Sequence, residues 1–314
     1  MSVYTPVTRE QLERYLLQYS VGELIDFQGI EAGVENTNYF VTTSDGQFVL
    51  TLVESVNSEQ LPFILDYIEH LTQQGMACAR PIHLKDNTLF GQLNQRPAVL
   101  MSRLSGSPLQ IPNDQQASIM GLTLGQMHLL SEPLEKTQRM DIHQWCSDLG
   151  AKLMPHLPAD DQQTLQHNLM DAGQIPWLNL PGGPIHADLF PDNALFEGDK
   201  LRGLIDFYHA CTAPYLYDLC VTLNAWCYDE QTSQYDFNKA LIMLDSYQSV
   251  RPLNNDEQRS FSIMLQVAAM RFWLSRLRDI HFPKEGEVVT RKDPLGKLQL
   301  LQLLSGTQHL QMAS

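Results

Sequence analysis

The chain has 314 residues, enough for two lobes with sizeable cores, and its 43% hydrophobic and 18% charged residues are the proportions of a globular protein. With 36 acidic against 21 basic residues the formal net charge is −15, which argues against nucleic acid and against an anionic membrane surface as partners. The first hundred residues read as strand-rich. Tyr39-Phe-Val-Thr-Thr43 and Phe48-Val-Leu-Thr-Leu-Val53 are β-branched and aromatic, and Ser44-Asp-Gly-Gln47 between them predicts a hairpin turn in which Gly46 supplies a positive φ. Leu61, Ile64, Leu65, Ile68 and Leu71 then recur at helical spacing. They predict a helix over 59–74, with Pro62 in its permissive first turn and Gly75 at its C-terminal cap. Short strands are expected near 82–84, 88–90 and 98–103. The result is a small sheet with one helix.

Composition changes at Leu104-Ser-Gly-Ser-Pro-Leu-Gln-Ile-Pro112, a turn-rich joint that divides the chain into lobes of residues 1–103 and 104–314. Helical patterns dominate beyond it. They cover about 113–130, capped by Asn113 or Asp114 and stopped before Pro133, then 141–154, 160–173, 215–227, 236–250, 256–280 and 294–310. One strand-like island, 184–207, interrupts them. No apolar run reaches the ~18 residues of a membrane span. The opening residues lack a basic region ahead of an apolar stretch, so no signal peptide is expected. The five cysteines form no Cys-x-x-Cys pair, which predicts reduced thiols in a cytoplasmic protein.

The strand-like island carries the chemistry. His186-Ala-Asp-Leu-Phe-Pro-Asp-Asn193 puts a histidine, Asp188 and Asn193 on one short loop, and Leu204-Ile-Asp-Phe-Tyr208 puts Asp206 at the end of the next apolar run. A carboxylate at the end of an apolar segment is costly unless paired or metal-bound. Two aspartates and an asparagine so spaced can orient a hydroxyl and hold a magnesium ion, which are the two requirements of phosphoryl transfer from ATP. An ordinary hairpin with polar turn residues would need only Pro191-Asp-Asn193.

The string His-x-Asp-x-x-x-x-Asn followed by Ile-Asp-Phe resembles the catalytic and metal-binding segments of the kinase-like phosphotransferases, among them aminoglycoside, choline and homoserine kinases. The longer stretches Ile185–Phe196, Leu204–Tyr208, Tyr217–Leu219 with Leu223–Cys227, Arg271–Leu277 and Gly33–Tyr39 with Phe48–Glu54 are similar to homoserine kinases of the aminoglycoside-phosphotransferase-like type. The resemblance implies an α+β, two-lobed, protein-kinase-like fold with a small antiparallel-sheet N-lobe and a mostly helical C-lobe. It implies Asp188 as catalytic base, Asn193 and Asp206 as magnesium ligands, and His186 and Asp218 as structural supports of the loop. Gly29 and Gly33 match its phosphate-covering loop. Met101 and Arg103 lie where the adenine would meet the joint. Thr51 stands about where the wider family carries a phosphate-gripping lysine, a departure that homoserine kinases share.

For the acceptor, the resemblance implies L-homoserine, with Tyr208, His209, Arg271 and Arg276 as candidate contacts. Arg271 and Arg276 are five apart on a predicted helix, hence about 140° apart around its axis. One is expected to meet a substrate carboxylate while the other makes a structural ion pair. A kinase of choline, an aminoglycoside or a methylthio-sugar on the same fold is the nearest alternative. A nucleotide-binding scaffold without turnover is the other; Thr51 favours it and the intact Asp188, Asn193 and Asp206 oppose it. His70, His83, His128 and His143 show no ligand spacing and read as structural or surface residues.

Overall fold

The computed structural model describes residues 5–30, 36–54, 56, 59–135, 137–283 and 292–306. The chain opens with helix α1 (Arg9–Leu16), started by a capping box in which Thr8 and Gln11 exchange side-chain and main-chain hydrogen bonds. Strands β1 (Leu24–Gly29), β2 (Thr37–Thr43) and β3 (Gly46–Leu52) follow, then helix α2 (Leu61–Gln73) and strands β4 (Gly91–Leu93) and β5 (Arg96–Ser102). These five strands form one antiparallel sheet in the order β1-β2-β3-β5-β4. Along β2 the side chains of Thr37, Tyr39, Val41 and Thr43 alternate inward, as a half-buried strand requires.

Three local expectations are corrected. Two helices, not one, accompany the sheet, because α1 is too short to show a periodic stripe. The hairpin turn is the dipeptide Ser44-Asp45; Gly46 already pairs with Thr43 in β3 and does not use a positive φ. Of the expected strand at 82–84 only the isolated bridge of Leu84 to Tyr19 remains, and 88–90 forms no strand, with β4 starting after them. Gly75 does take the left-handed conformation after α2, at φ +84°.

The remainder is mostly helical. Strand β6 (Ser107–Pro108) leads to α3 (Asp114–Ser131), α4 (Ile142–Leu153) and α5 (Ala159–Ala172). The strand-like island becomes β7 (Gly182–Ile185), β8 (Ala194–Glu197) and β9 (Lys200–Leu204), followed by β10 (Cys211–Pro214), α6 (Tyr215–Cys227), the hairpin β11 (Tyr228–Asp229) and β12 (Gln234–Tyr235), α7 (Phe237–Gln248), α8 (Asn255–His281) and α9 (Leu295–Gly306). Asn113 caps α3 and Asn254 caps α8, each through a capping box. Among the described residues no helix is long and apolar enough to cross a membrane.

The core does not divide where the chain changes composition. One cluster joins α1 to one face of the sheet through Leu12, Tyr15, Val41 and Leu50. The larger one runs from Leu61, Ile64 and Tyr67 of α2 through the whole helical part. Main-chain bonds add to this join. Leu204 of β9 donates to Ala77 and accepts from Ala79, and β6 pairs with β8. The segment after α2 and the joint after β5 are both tied to the hairpin that carries the chemical motif.

Helices α3 and α7 approach closely along a stripe of small residues. The Ser118 and Ser246 hydroxyls meet at 2.8 Å, and Gly121 and Gly125 face the carbonyls of Met243 and Tyr247. A Cβ on Gly121 would lie 2.2 Å from the Met243 carbonyl oxygen, and main chain cannot swing aside. Gly121→Ala gains about 1 kcal/mol in helix propensity but forces the helices apart, at a cost of about 1–3 kcal/mol. The overlap is with backbone, so the second effect wins: the variant is expected to be less stable by up to about 2 kcal/mol in urea unfolding. A more stable variant would show that the helices part freely.

Candidate active site

Strand β7 runs antiparallel to β10 and delivers the chain into the loop His186–Asn193. Two main-chain donors at its start, His186 N and Ala187 N, point at one carboxylate. Asp218 Oδ2 accepts from His186 N at 3.1 Å and Oδ1 from Ala187 N at 2.7 Å. Asp218 lies in the first turn of α6 and is fully buried. Its Oδ2 also meets His128 Nε2 of α3 at 3.0 Å. Ala187 takes a left-handed conformation, φ +63°, which costs an L-residue about 1–2 kcal/mol.

The ring of His186 is buried too. Its Nε2 lies 3.0 Å from the Ile205 carbonyl, which can only accept, so Nε2 carries the proton. Nδ1 then accepts from Asp188 N at 3.3 Å. Burial pushes the His186 pKa below its ordinary value, in keeping with this neutral tautomer. Burial also lowers that of His128. His128 Nε2–H therefore donates to Asp218, while Nδ1 accepts from the Tyr247 hydroxyl at 2.7 Å. The Tyr247 oxygen accepts from Arg251, which also donates to Glu257. A line of hydrogen bonds thus runs from the loop through α3 and α7 to the start of α8.

Asp188 is half-buried, and the turn Pro191–Asn193 folds back on it. Asn193 Nδ2 donates to the Asp188 carbonyl at 2.8 Å and reaches its Oδ2 at 3.3 Å. The other amide atom, Oδ1, is an oxygen donor for a ligand. Main-chain Asn193 O accepts from Ile205 N at 3.0 Å, which brings the asparagine beside the residue preceding Asp206. Asp206 is exposed and left-handed (φ +62°, ψ +58°) at the head of the turn Phe207–His209. A non-glycine residue in that conformation is held there against a local cost of about 1–3 kcal/mol. Trp226 Nε1 donates to the Leu189 carbonyl and fixes the underside of the loop.

The remaining candidates scatter. Thr51 is buried in β3 and donates to Asn38 Oδ1 at 2.7 Å; the Tyr208 hydroxyl approaches its side chain from the other half of the molecule. Burial raises the Tyr208 pKa above its ordinary value. Gly29 ends β1, opposite Tyr39. Gly33 lies outside the described residues. Met101 is buried in β5, and Arg103 is exposed with its guanidinium 4.1 Å from the Phe40 ring centroid. His209 is half-buried on the turn after Asp206.

The two arginines of α8 meet different surroundings, as their angular separation requires. Arg276 forms a two-pronged pair with Glu230 at 2.7 and 2.8 Å and donates to the Asp293 carbonyl. Lys297 Nζ joins the same carboxylate at 2.8 Å. Burial alone would raise the pKa of Glu230; Arg276 and Lys297 outweigh it and hold the carboxyl near 2. Arg276 is therefore the one of the two arginines that makes a structural ion pair. Arg271 instead lies over the rings of Trp145 (5.2 Å) and Phe272 (4.8 Å), within electrostatic reach of Asp188 and Tyr217.

Three participants were not singled out from the sequence as site residues: Trp145, Lys297 and His128. Lys297 was readable in part, as the lone charge in the apolar run Leu295-Gly-Lys-Leu-Gln-Leu-Leu301; it is 3% exposed. Trp145 and His128 carry no signal short of the contacts themselves.

Residues 26–253 match the sequence model of the phosphotransferase enzyme family, which sets the class of protein. The chain is 41% identical over 295 residues to a homoserine kinase of Methylobacillus flagellatus, covering 94% of this chain and 92% of that one. It is 38% identical over 298 residues to a homoserine kinase of Neisseria meningitidis serogroup B, with 94% and 96% covered. Solved structures share the fold at low identity. The amicoumacin kinase hAmiN superposes with a TM-score of 0.70 at 15% identity, over 96% of this chain and 92% of that one. Choline kinase LicA of Streptococcus pneumoniae gives 0.66 at 12%, over 94% and 96%. The chain belongs to the phosphotransferase enzyme family, within the branch formed by these homoserine kinases.

Removing the Asp218 carboxylate leaves two buried main-chain donors and His128 Nε2–H without an acceptor. Each orphan costs about 1–3 kcal/mol. Asp218→Ala is therefore expected to lose about 3–5 kcal/mol of stability. The fraction that stays folded should turn over slowly, because Ala187 is free to leave its left-handed conformation. Unfolding in urea and turnover at low temperature test this; unchanged stability would remove Asp218 as the anchor of the loop.

Proposed function

We propose that this protein transfers the γ-phosphoryl group of ATP to the side-chain hydroxyl of L-homoserine, giving O-phosphohomoserine and ADP, a step toward threonine. The observation that carries the chemistry is the folding of Asn193 onto Asp188, with its main chain bonded to the residue before Asp206. The observation that carries the acceptor is the near full-length similarity to homoserine kinases.

In this reading ATP lies in the cleft between the sheet and the helical part, residues 1–103 forming one lobe and 104–314 the other. Gly29, Gly33 and Thr51 line the phosphate side, and Met101 and Arg103 the adenine side. Asp188 takes the proton of the acceptor hydroxyl as its oxygen attacks the γ-phosphorus and the bond to the β-phosphate oxygen breaks. Asn193 orients the Asp188 carboxylate through Nδ2. The donors at hand fit magnesium: Asn193 offers an amide oxygen and Asp206 an exposed carboxylate. Mg²⁺ favours such partial sets of hard oxygens, completed by water and phosphate. Asn193 Oδ1 and Asp206 would hold it, and when bound it neutralises phosphate charge. The five described cysteines are all unpaired, in keeping with a cytoplasmic enzyme.

Two measurements bear on this reading. Asp188→Asn keeps the size of the side chain and removes the base, so kcat should fall roughly 10²–10⁴-fold with ATP affinity little changed by calorimetry. Near-normal turnover would take Asp188 out of the reaction. An ATP-consumption assay over homoserine, serine, threonine, choline and an aminoglycoside should give the highest kcat/KM with homoserine. Choline or an aminoglycoside matching it would leave a kinase of another acceptor.

A further inference from the structure

Arg271 is a half-buried cation, and the carboxylate within its electrostatic reach is Asp188, the base of the proposed reaction. Its Nε is out of solvent without a hydrogen-bond partner, and among the described residues no ion pair reaches its guanidinium. Arg251 and Arg276, the other arginines close to it in sequence with low exposure, are paired with Glu257 and Glu230. An unpaired guanidinium in such a place is costly. It persists where a ligand supplies the missing anion.

We propose that Arg271 is the receptor for the α-carboxylate of the acceptor, and that Trp145 of α4 is the positioning residue that fixes the plane of its guanidinium. The assignment rests on the reading of the protein as a kinase of a hydroxy amino acid. The guanidinium carbon lies over the Trp145 and Phe272 rings, 5.2 and 4.8 Å from their centroids. Arginine suits such a wall because it is weakly hydrated and stacks on aromatic faces. With Nε turned inward, the two terminal nitrogens remain to form a fork, which matches a carboxylate. Asp188, which takes the proton at the other end of the acceptor, is within electrostatic reach of the same guanidinium. A four-carbon hydroxy amino acid spans only about 5 Å between its hydroxyl and its carboxylate, so base and receptor must share one small pocket.

The neighbouring cation does not compete. Lys297 is already bonded to Glu230 at 2.8 Å and lies 5.3 Å from the Phe190 ring. Phe190 packs edge-on against Phe272 at 5.1 Å. Lys297 therefore supports the aromatic wall from behind, while Arg271 keeps its valence for the ligand.

The test compares L-homoserine with 3-aminopropan-1-ol, the same molecule without its carboxylate. The wild-type enzyme should prefer homoserine by roughly 10²–10⁴-fold in kcat/KM. Arg271→Ala should cut that ratio by roughly 10²-fold, with the loss mainly in KM because the contact is remote from the transferred group. Arg271→Lys should restore only part, since an ammonium has no fork. Trp145→Ala should lower the ratio roughly tenfold, in the same direction. If Arg271→Ala fails to fold by circular dichroism, the lysine and Trp145 variants decide.

Equal losses on both acceptors in these variants would overturn the receptor and leave the homoserine kinase reading standing. A wild-type enzyme that favours a different carboxylate-bearing alcohol, with that advantage lost in Arg271→Ala, would sink homoserine and keep the receptor. A preference for alcohols without a carboxylate would overturn both.

Discussion

A single fully buried carboxylate organises the molecule. Asp218 accepts two main-chain N–H groups from the loop after β7 and the Nε2–H of His128. The bonds that hold Ala187 are charge-assisted, worth about 1.5–3 kcal/mol each. Its left-handed conformation costs about 1–2 kcal/mol. The hydrogen bonds win, and the direction in which Asp188 leaves the loop follows from that balance. The same carboxylate needs its own solvation replaced, and the line His128, Tyr247, Arg251, Glu257 does so by joining α3, α7 and α8 to α6. Loop geometry and helix packing are therefore one constraint.

Helix α8 shows how one element serves two ends. Arg271 and Arg276 point about 140° apart, so they cannot share a ligand. Arg276 and Lys297 converge on Glu230, which locks α9 and the turn after β11 against α8. That cluster is held by burial and by mutual charge, and it leaves Phe272 and Phe190 packed at the mouth of the loop. Arg271 lies over the same Phe272 ring, 4.8 Å from its centroid.

Much of this was legible in the sequence where a signal is local. Leu61, Ile64, Leu65, Ile68 and Leu71 announce α2 because burial on one side imposes the helical period, and Gly75 marks its end. The aspartates and asparagine of residues 186–208 stand out because carboxylates in apolar surroundings are rare. The rest is hidden for physical reasons. Helix α1 spans two turns, too few for a period to repeat. Gly46 looked like a turn residue, yet the turn closes one step earlier. His128 and Asp218 are ninety residues apart, and nothing in either segment names the other. Trp145 reads as an ordinary helix residue until α8 is laid beside it.

Thr51, about where the resemblance would place a phosphate-gripping lysine, has surroundings that suit a threonine. Strand β3 is buried on both faces at Leu50, Thr51 and Leu52, between the core under α1 and the core that α2 shares with the helical part. Thr51 spends its hydroxyl proton on Asn38, and the Tyr208 hydroxyl comes down on it from the turn after Asp206. A lysine there would have to displace that tyrosine or bury its charge beside it. The contact that replaces it ties the sheet to the turn carrying Asp206, in parallel with the bonds of Leu204 to Ala77 and Ala79. On the proposed function, in a chain of net charge −15 without a lysine at this position, attraction of a polyphosphate would fall to main-chain N–H groups and to a divalent cation. On the proposed function, oxygens of Asn193 and Asp206, brought near one another by the bond between Ile205 N and Asn193 O, would be the ones to meet that cation.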